Sequence, residues 1–295
     1  MKSILSLTKR NIKIYLNSRT NIIFSLLSVL ILVSVYFLFL RDMNMGNFER
    51  IFRPLGESPA KKQLLLLSDT LMLACVVSVG AVTVSLTALG IIVGDRDKKI
   101  VMDFTVAPIP RYALVTSYFL SSYIICLAVT TLFIFLGGFM LLILYGVFFG
   151  FIQLLYIYAA SLLALVFGNA LMIFIISFLR KENALGGLGA VVGTLIGFVS
   201  GAYVPVSVFA ENLQDVILCL PFAQITAVLK KAFMHGMDKH VNVSAEGYKA
   251  FLENNGVNIL VGGNEIAAGW LALIIAGYCA LFAFLSWLRF RKKQK

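Results

Sequence analysis

The chain of 295 residues is poor in charge. Asp, Glu, Lys and Arg make up 13% of it, against 60% hydrophobic residues, whereas a soluble domain carries about 25% charged residues. A water-soluble fold of this length cannot hide so much apolar surface, so the solvent is lipid. Further absences narrow the chemistry. There is no G-x-x-x-x-G-K-[ST] stretch, and without that phosphate cradle the chain is not expected to hydrolyse ATP itself. The two histidines, His235 and His240, share one polar segment and read as solvated surface. No nucleophile–base pair stands out, so no catalytic residue and no metal site is expected. Cys75, Cys126, Cys219 and Cys279 lack metal-ligand spacing and read as small hydrophobes rather than a disulfide or zinc framework. Carboxylates and histidines are nearly missing from the apolar runs, and Asp69 is expected to reach interface water. That absence disfavours a proton-coupled carrier.

What is present is long apolar runs. A crossing needs about 20 apolar residues. The first run, "NIIFSLLSVLILVSVYFLFL" at 21–40, has no small-residue cleavage site after it and reads as an uncleaved helix. A second covers 71–93. No charge falls between Arg111 and Arg180, which fits two long spans, 112–145 and 151–179, turning near 146–150. Two more cover 184–203 and 266–287. The expected fold is an all-α integral membrane protein of six transmembrane helices.

Six spans leave both termini on one side, and Lys and Arg choose the side. The N-terminal segment holds Lys2, Lys9, Arg10, Lys13 and Arg19. The C-terminal tail at 288–295 holds Arg289, Arg291, Lys292, Lys293 and Lys295. The connectors 94–111 and 180–183 add Arg96, Lys98, Lys99, Arg111, Arg180 and Lys181. Sixteen of the 25 basic residues thus lie on short segments of one face, which is expected to be cytoplasmic. The loop 41–63, expected outside, runs against this trend with five basic and three acidic residues. The net charge of +11 is accounted for by lipid headgroups. No aromatic-and-basic interleaving points to nucleic acid.

The largest internal connector on the basic face is "VGDRDKKIVMDFTVAPIPRYALV". Asp95 or Asp97 is suited to cap a short helix, and Ile100, Val101, Phe104 and Ala107 fall at helical spacing. Pro108 and Pro110 end it. From the residues alone it is either a docking finger or a headgroup-binding turn.

These features, in order, resemble the permease subunit of an ABC transporter of the ABC-2 (type V exporter) superfamily. The basic segment before the first span, "LTKRNIKIYLNSRTNIIFSLLSVLILV", is one. Thr105, Pro108 and Arg111 match a T-x-x-P-x-x-R loop end. Ser200, Gly201 and Pro205 match S-G-x-x-x-P after the fifth span, and a short amphipathic pair with Pro221 follows. The resemblance implies that 94–111 is a coupling loop seated on a separate ATP-binding subunit. Asp97, Lys98, Lys99, Asp103, Thr105, Pro108 and Arg111 would make a wet contact there, and Ile100 and Phe104 would be its anchors. It implies an amphipathic elbow helix within 1–20 lying on the leaflet. It further implies two ATP-binding subunits carrying ATP and Mg, and a second permease, identical or a paralogue. Membrane lipids are expected contacts and no cofactor sits in this chain. The cargo would be amphipathic, such as a drug, an antimicrobial peptide or a lipid-linked molecule, exported across a bacterial cell membrane.

Gly189, Gly193, Gly197 and Gly201 recur every four residues, so on a helix they line one face and admit close approach. That face serves packing within one subunit or the seam between two permeases. Segment 204–265 is the one sizeable soluble part. Phe209, Leu213, Val216, Ile217 and Leu220 form one helical stripe. Phe222, Ile225, Val228, Leu229 and Ala232 form another. The resemblance makes these re-entrant extracellular helices an outer gate, with Pro205, Phe209, Pro221 and Phe222. The remainder reads as a polar excursion with one helix near Ala245–Asn254, and Asn242-Val243-Ser244 matches a glycosylation acceptor. Two other classes fit the residues: an ion-coupled carrier or channel, and a non-transporting scaffold that docks a cytoplasmic partner.

Overall fold

The computed structural model describes residues 2–292 except 58, 107–109, 205–207, 209 and 262–263. Pro108, Pro205 and Phe209 therefore lie outside the described residues, and the side chains of Thr105 and Arg111 lie outside them too. Twelve α-helices are described, in the order α1 Lys2–Asn17, α2 Arg19–Val35, α3 Arg41–Phe52, α4 Lys61–Asp97, α5 Ile100–Val106 and α6 Arg111–Tyr145, followed by α7 Phe151–Ile176, α8 Asn183–Val199, α9 Glu211–Cys219, α10 Pro221–Met234, α11 Ala245–Asn254 and α12 Ala268–Lys292. A two-residue antiparallel pair, β1 Leu260–Val261 with β2 Asn264–Glu265, precedes α12.

Local chemistry sets the breaks. Ser18 adopts an extended backbone and its Oγ accepts from Asn21 N at 3.3 Å, the capping that separates α1 from α2. Between α6 and α7, Gly146 takes φ 74 and its N–H closes on Leu142 O at 2.9 Å. Only a residue without Cβ accepts that conformation cheaply, and the turn falls where the sequence places it.

Among the described residues, five helices are long and apolar enough to cross a membrane: Arg19–Leu55, Lys61–Asp97, Tyr112–Tyr145, Phe151–Ile176 and Gly269–Arg289. The sixth expected span, α8, is a 17-residue apolar helix, about 25 Å long at 1.5 Å per residue.

The first two spans exceed their sequence bounds. A π-helical turn at Tyr36–Leu40 carries α2 into α3, and α4 starts ten residues before position 71. The expected outer loop 41–63 is therefore mostly helix. Its charges hid this, because a helix that leaves lipid no longer needs apolar residues.

The bundle is organised around α4, which packs against α2, α6, α7, α8 and α10. It is buried along nearly its whole length. A helix apolar on every side belongs in the middle, and small residues let its neighbours in. A Cβ on Gly168 of α7 would lie 2.7 Å from Ala81 O of α4, against backbone that cannot swing away. Gly168→Ala is expected to push α4 and α7 apart and to cost about 1–3 kcal/mol, read as a lowered melting temperature in detergent. A melting temperature equal to that of Gly269→Ala, where a Cβ meets nothing within 4 Å, would remove the close contact as a constraint.

The segment after α8 departs from expectation. α9 exposes Leu213 and Val216, and Leu220 just beyond it is exposed too, as on a surface amphipathic helix. α10 is instead built into the bundle, with Ile225, Leu229 and Phe233 buried against α4 and α7. Lys230 is 4% exposed, and its Nζ donates to Asn255 O at 3.0 Å. The polar excursion has an apolar underside. Phe251 of α11 meets Phe48 and Phe52 of α3 at ring separations of 4.8 and 6.2 Å. His235 is exposed beside the Tyr156 ring, and His240 is exposed.

Candidate functional site

A groove of 790 Å³ runs between α2, α4 and α8, with α1 and α5 at one end. This lies within the range of small-ligand sites, roughly 300–1,000 Å³. Its walls are apolar: Phe24, Leu27 and Ile31 from α2, Leu86 and Ile91 from α4, and Leu185 from α8. Arg10, Asp95, Lys98 and Glu182 line it as well, and Tyr203 contributes to its wall. The lining is thus amphipathic, with charge contributed near the basic connectors and oil along the helices.

The glycine row borders this groove. A Cβ on Gly189 would meet Leu86 of α4 at 3.5 Å, and one on Gly193 would meet Ser28 Oγ of α2 at 3.3 Å. Gly197 lies under the Tyr203 ring so closely that no side chain fits. Gly201 is beyond the helix, at φ 69, where it turns the chain so that Ala202 N and Tyr203 N both reach Gly197 O. Three glycines therefore pack within the chain and the fourth makes a turn. On the same helix Val191, Leu195 and Phe198 are exposed.

The connector 94–111 folds differently from its sequence reading. Asp95 and Asp97 do not cap α5; they belong to the last turn of α4. Lys99, at φ 60, makes the break. Asp97 Oδ2 accepts from Glu182 N at 3.1 Å, and Lys98 pairs with Glu182 at 3.7 Å with both side chains exposed. Ile100 lines the groove. Phe104 sits under the Arg10 guanidinium, 5.2 Å from its carbon to the ring centroid. The two residues expected to be outward anchors thus face their own chain. Asp103 is exposed, and the outward apolar side chains of α5 are Met102, 62% exposed, and Val106, 88% exposed.

A hub underlies α5. Arg10 donates to both carboxylate oxygens of Asp95 at 2.8 Å, and Tyr118 OH of α6 donates to Asp95 Oδ2 at 2.5 Å. Hydrogen bonding to Asp95 raises the Arg10 pKa above its ordinary value, against partial desolvation. Arg96 donates to Ile176 O and Leu179 O at 3.3 and 3.4 Å, tying the end of α4 to the turn that follows α7. Sequence reasoning missed this hub, because Arg10 and Asp95 are 85 residues apart. One signal was there. A carboxylate in the last turn of a helix opposes the helix dipole, so Asp95 called for a cation.

A second hub lies at the other end of α4. Asp69 is 0% exposed and does not reach interface water. It accepts from Tyr36 OH at 2.6 Å, from Arg41 at 2.9 and 3.2 Å, and from Tyr145 OH at 2.6 Å. Of the residues expected to form an outer gate, Pro221 opens α10. Phe222 packs edge-on against Phe167 inside the bundle, at 5.5 Å. Among the described residues no three His, Cys, Asp or Glu side chains are placed to hold a metal ion.

Helices long and apolar enough to cross a bilayer five times, gathered around a buried central helix, define a multi-pass membrane protein. Residues 2–234 match the family described as ABC-2 type transporter. The chain belongs to that family and is an ABC transporter permease. No curated protein matches it.

Proposed function

We propose that the chain is the membrane subunit of an ATP-driven exporter of an amphipathic cargo. The observation that carries this reading is the groove, whose lining joins apolar walls to charged side chains within 790 Å³. It suits a molecule with a polar head and an oily body, and it fits an exporter better than an ion path. The family supplies the energy source, since ABC-2 permeases normally work with ATP-binding subunits. Two such subunits would hold ATP and Mg, and a second permease, identical or a paralogue, would complete the assembly. α8 counts as the sixth crossing, which puts both termini and the basic connectors on the cytoplasmic side. α1 then lies along the inner leaflet and α5 faces the ATP-binding subunit. Nucleotide-driven movement of α5 would act on the end of α4, which forms one wall of the groove.

The test is purification from native membranes, followed by reconstitution with a fluorescent lysophospholipid as probe. An ATP-binding subunit is expected to co-purify, and the probe should cross the bilayer only with hydrolysable ATP. Gly186 lines the groove and a Cβ there meets nothing within 4 Å. Gly186→Trp should fill the space, leaving assembly intact and lowering transport at least tenfold. Transport that survives ATP depletion while an ion gradient remains would sink the reading in favour of a carrier. No associated ATPase and no transport would leave a scaffold.

A further inference from the structure

The guanidinium of Arg10 makes two kinds of contact at once. Its edge donates two parallel hydrogen bonds to Asp95 in the last turn of α4. Its flat face covers the ring of Phe104 in α5. Only a planar, delocalised cation does both, because an ammonium lacks the fork and the stacking face. Asp95 is also held by Tyr118 of α6, and α1 packs along α6. α5 itself is short, is preceded by the left-handed Lys99, and meets α4 lightly. Phe104 therefore links α5 to α1, beside the contacts that α5 makes with α4. An elbow helix whose only task is to float on headgroups needs lysines and an apolar stripe, not a bidentate arginine reaching an aspartate 85 residues away.

We infer that Arg10 is a positioning residue that joins α1 to α5 through Phe104, so that movement of α5 is passed to the N-terminal helix as well as to α4. This rests on the proposed function, in which α5 meets an ATP-binding subunit. The Asp95 bonds keep the guanidinium facing Phe104, and the Phe104 contact carries a displacement of α5 to α1. α1 would then shift in the inner leaflet with each nucleotide cycle, at the end of the groove that Arg10 itself lines.

Hydrogen exchange read by mass spectrometry tests this in the purified holocomplex in nanodiscs, without nucleotide and with ATP plus vanadate. In the wild type, amides of both α5 and α1 are expected to change protection when nucleotide is trapped. In Phe104→Ala, which leaves the Arg10–Asp95 pair whole, α1 should keep its nucleotide-free protection. Its nucleotide response should be lost while that of α5 remains. Arg10→Lys keeps the charge without the fork and should lose the same response. A wild-type α1 that ignores nucleotide overturns the inference, and so does a Phe104→Ala protein whose α1 responds as the wild type does. Absence of any ATP-binding subunit from the wild-type complex is a separate result. It removes the proposed function and leaves Arg10 as a static tie.

Discussion

Asp69→Ala is expected to lower stability by about 3–5 kcal/mol, the usual cost of breaking a buried ion pair from one side. The carboxylate has no exposure and accepts four hydrogen bonds. Its removal leaves the Tyr145 hydroxyl without its acceptor and the Tyr36 hydroxyl with Ser68 Oγ alone, at 2.7 Å, and the Arg41 guanidinium loses its counter-ion. Unmet buried polar groups cost more than the net gain of an ordinary hydrogen bond. The damage extends beyond one contact, because the three partners come from the α2–α3 rod and α6. The π-helical turn at Tyr36–Leu40 lies between Tyr36 and Arg41, and the extra residue per turn lets both side chains reach one aspartate. Asp69→Asn keeps the shape but turns one acceptor into a donor aimed at the same partners, so most of the loss should persist. The measurement is thermal unfolding in a lipid nanodisc, with the exposed Asp42→Ala as reference. Equal melting temperatures for Asp69→Ala and Asp42→Ala would mean that the cluster does not hold these helices together.

The second large effect concerns α5. If this helix docks on an ATP-binding subunit, Met102 and Val106 are the apolar side chains it offers, and interface affinity concentrates in a few such residues. Met102→Asp combined with Val106→Asp places two carboxylates where apolar contacts form. Affinity for the ATP-binding subunit should fall about 100-fold or more, some 2.8 kcal/mol. Native gel mobility and the retained ATPase activity of the purified complex report it. Helix content should not change, since both side chains point away from the bundle. Unchanged association would place the docking surface elsewhere on the basic face.

Much of the fold is readable from the sequence, and the reason is physical. Lipid demands long apolar runs, so the segments 112–145, 151–179 and 266–287 announce themselves, and Gly146 marks its turn. The capped helix at Ala245–Asn254 is visible through Ser244, whose Oγ accepts from Gly247 N. Other features leave no local trace. α3 looks like a loop because it is charged, and α10 looks like a surface helix because Gln224, Lys230 and Lys231 interrupt it. Both hubs join residues that no periodicity connects. Within the connector, an apolar edge at Ile100 and Phe104 was legible but its direction was not. An amphipathic stripe says that a face is covered, not by whom. Arg10 covers Phe104, which moved the candidate contact residues to Met102 and Val106.

The two hubs also define what kind of object α4 is. Asp69 and Asp95 lie 26 residues apart, roughly 39 Å along a helix axis, and each is clamped by partners on other helices. A helix fixed at both ends has a set length and a set phase. Adding or deleting one residue between the two aspartates would turn one clamp by about 100° relative to the other, so one of the two would open. Chain length in this stretch is therefore constrained as it is between two bolts on a shaft. Among the described residues, the turn at Met237–His240 has no such pair of carboxylate clamps fixing its length. Among natural variants of such a permease, insertions are expected there sooner than in the 61–97 stretch, which would keep its register.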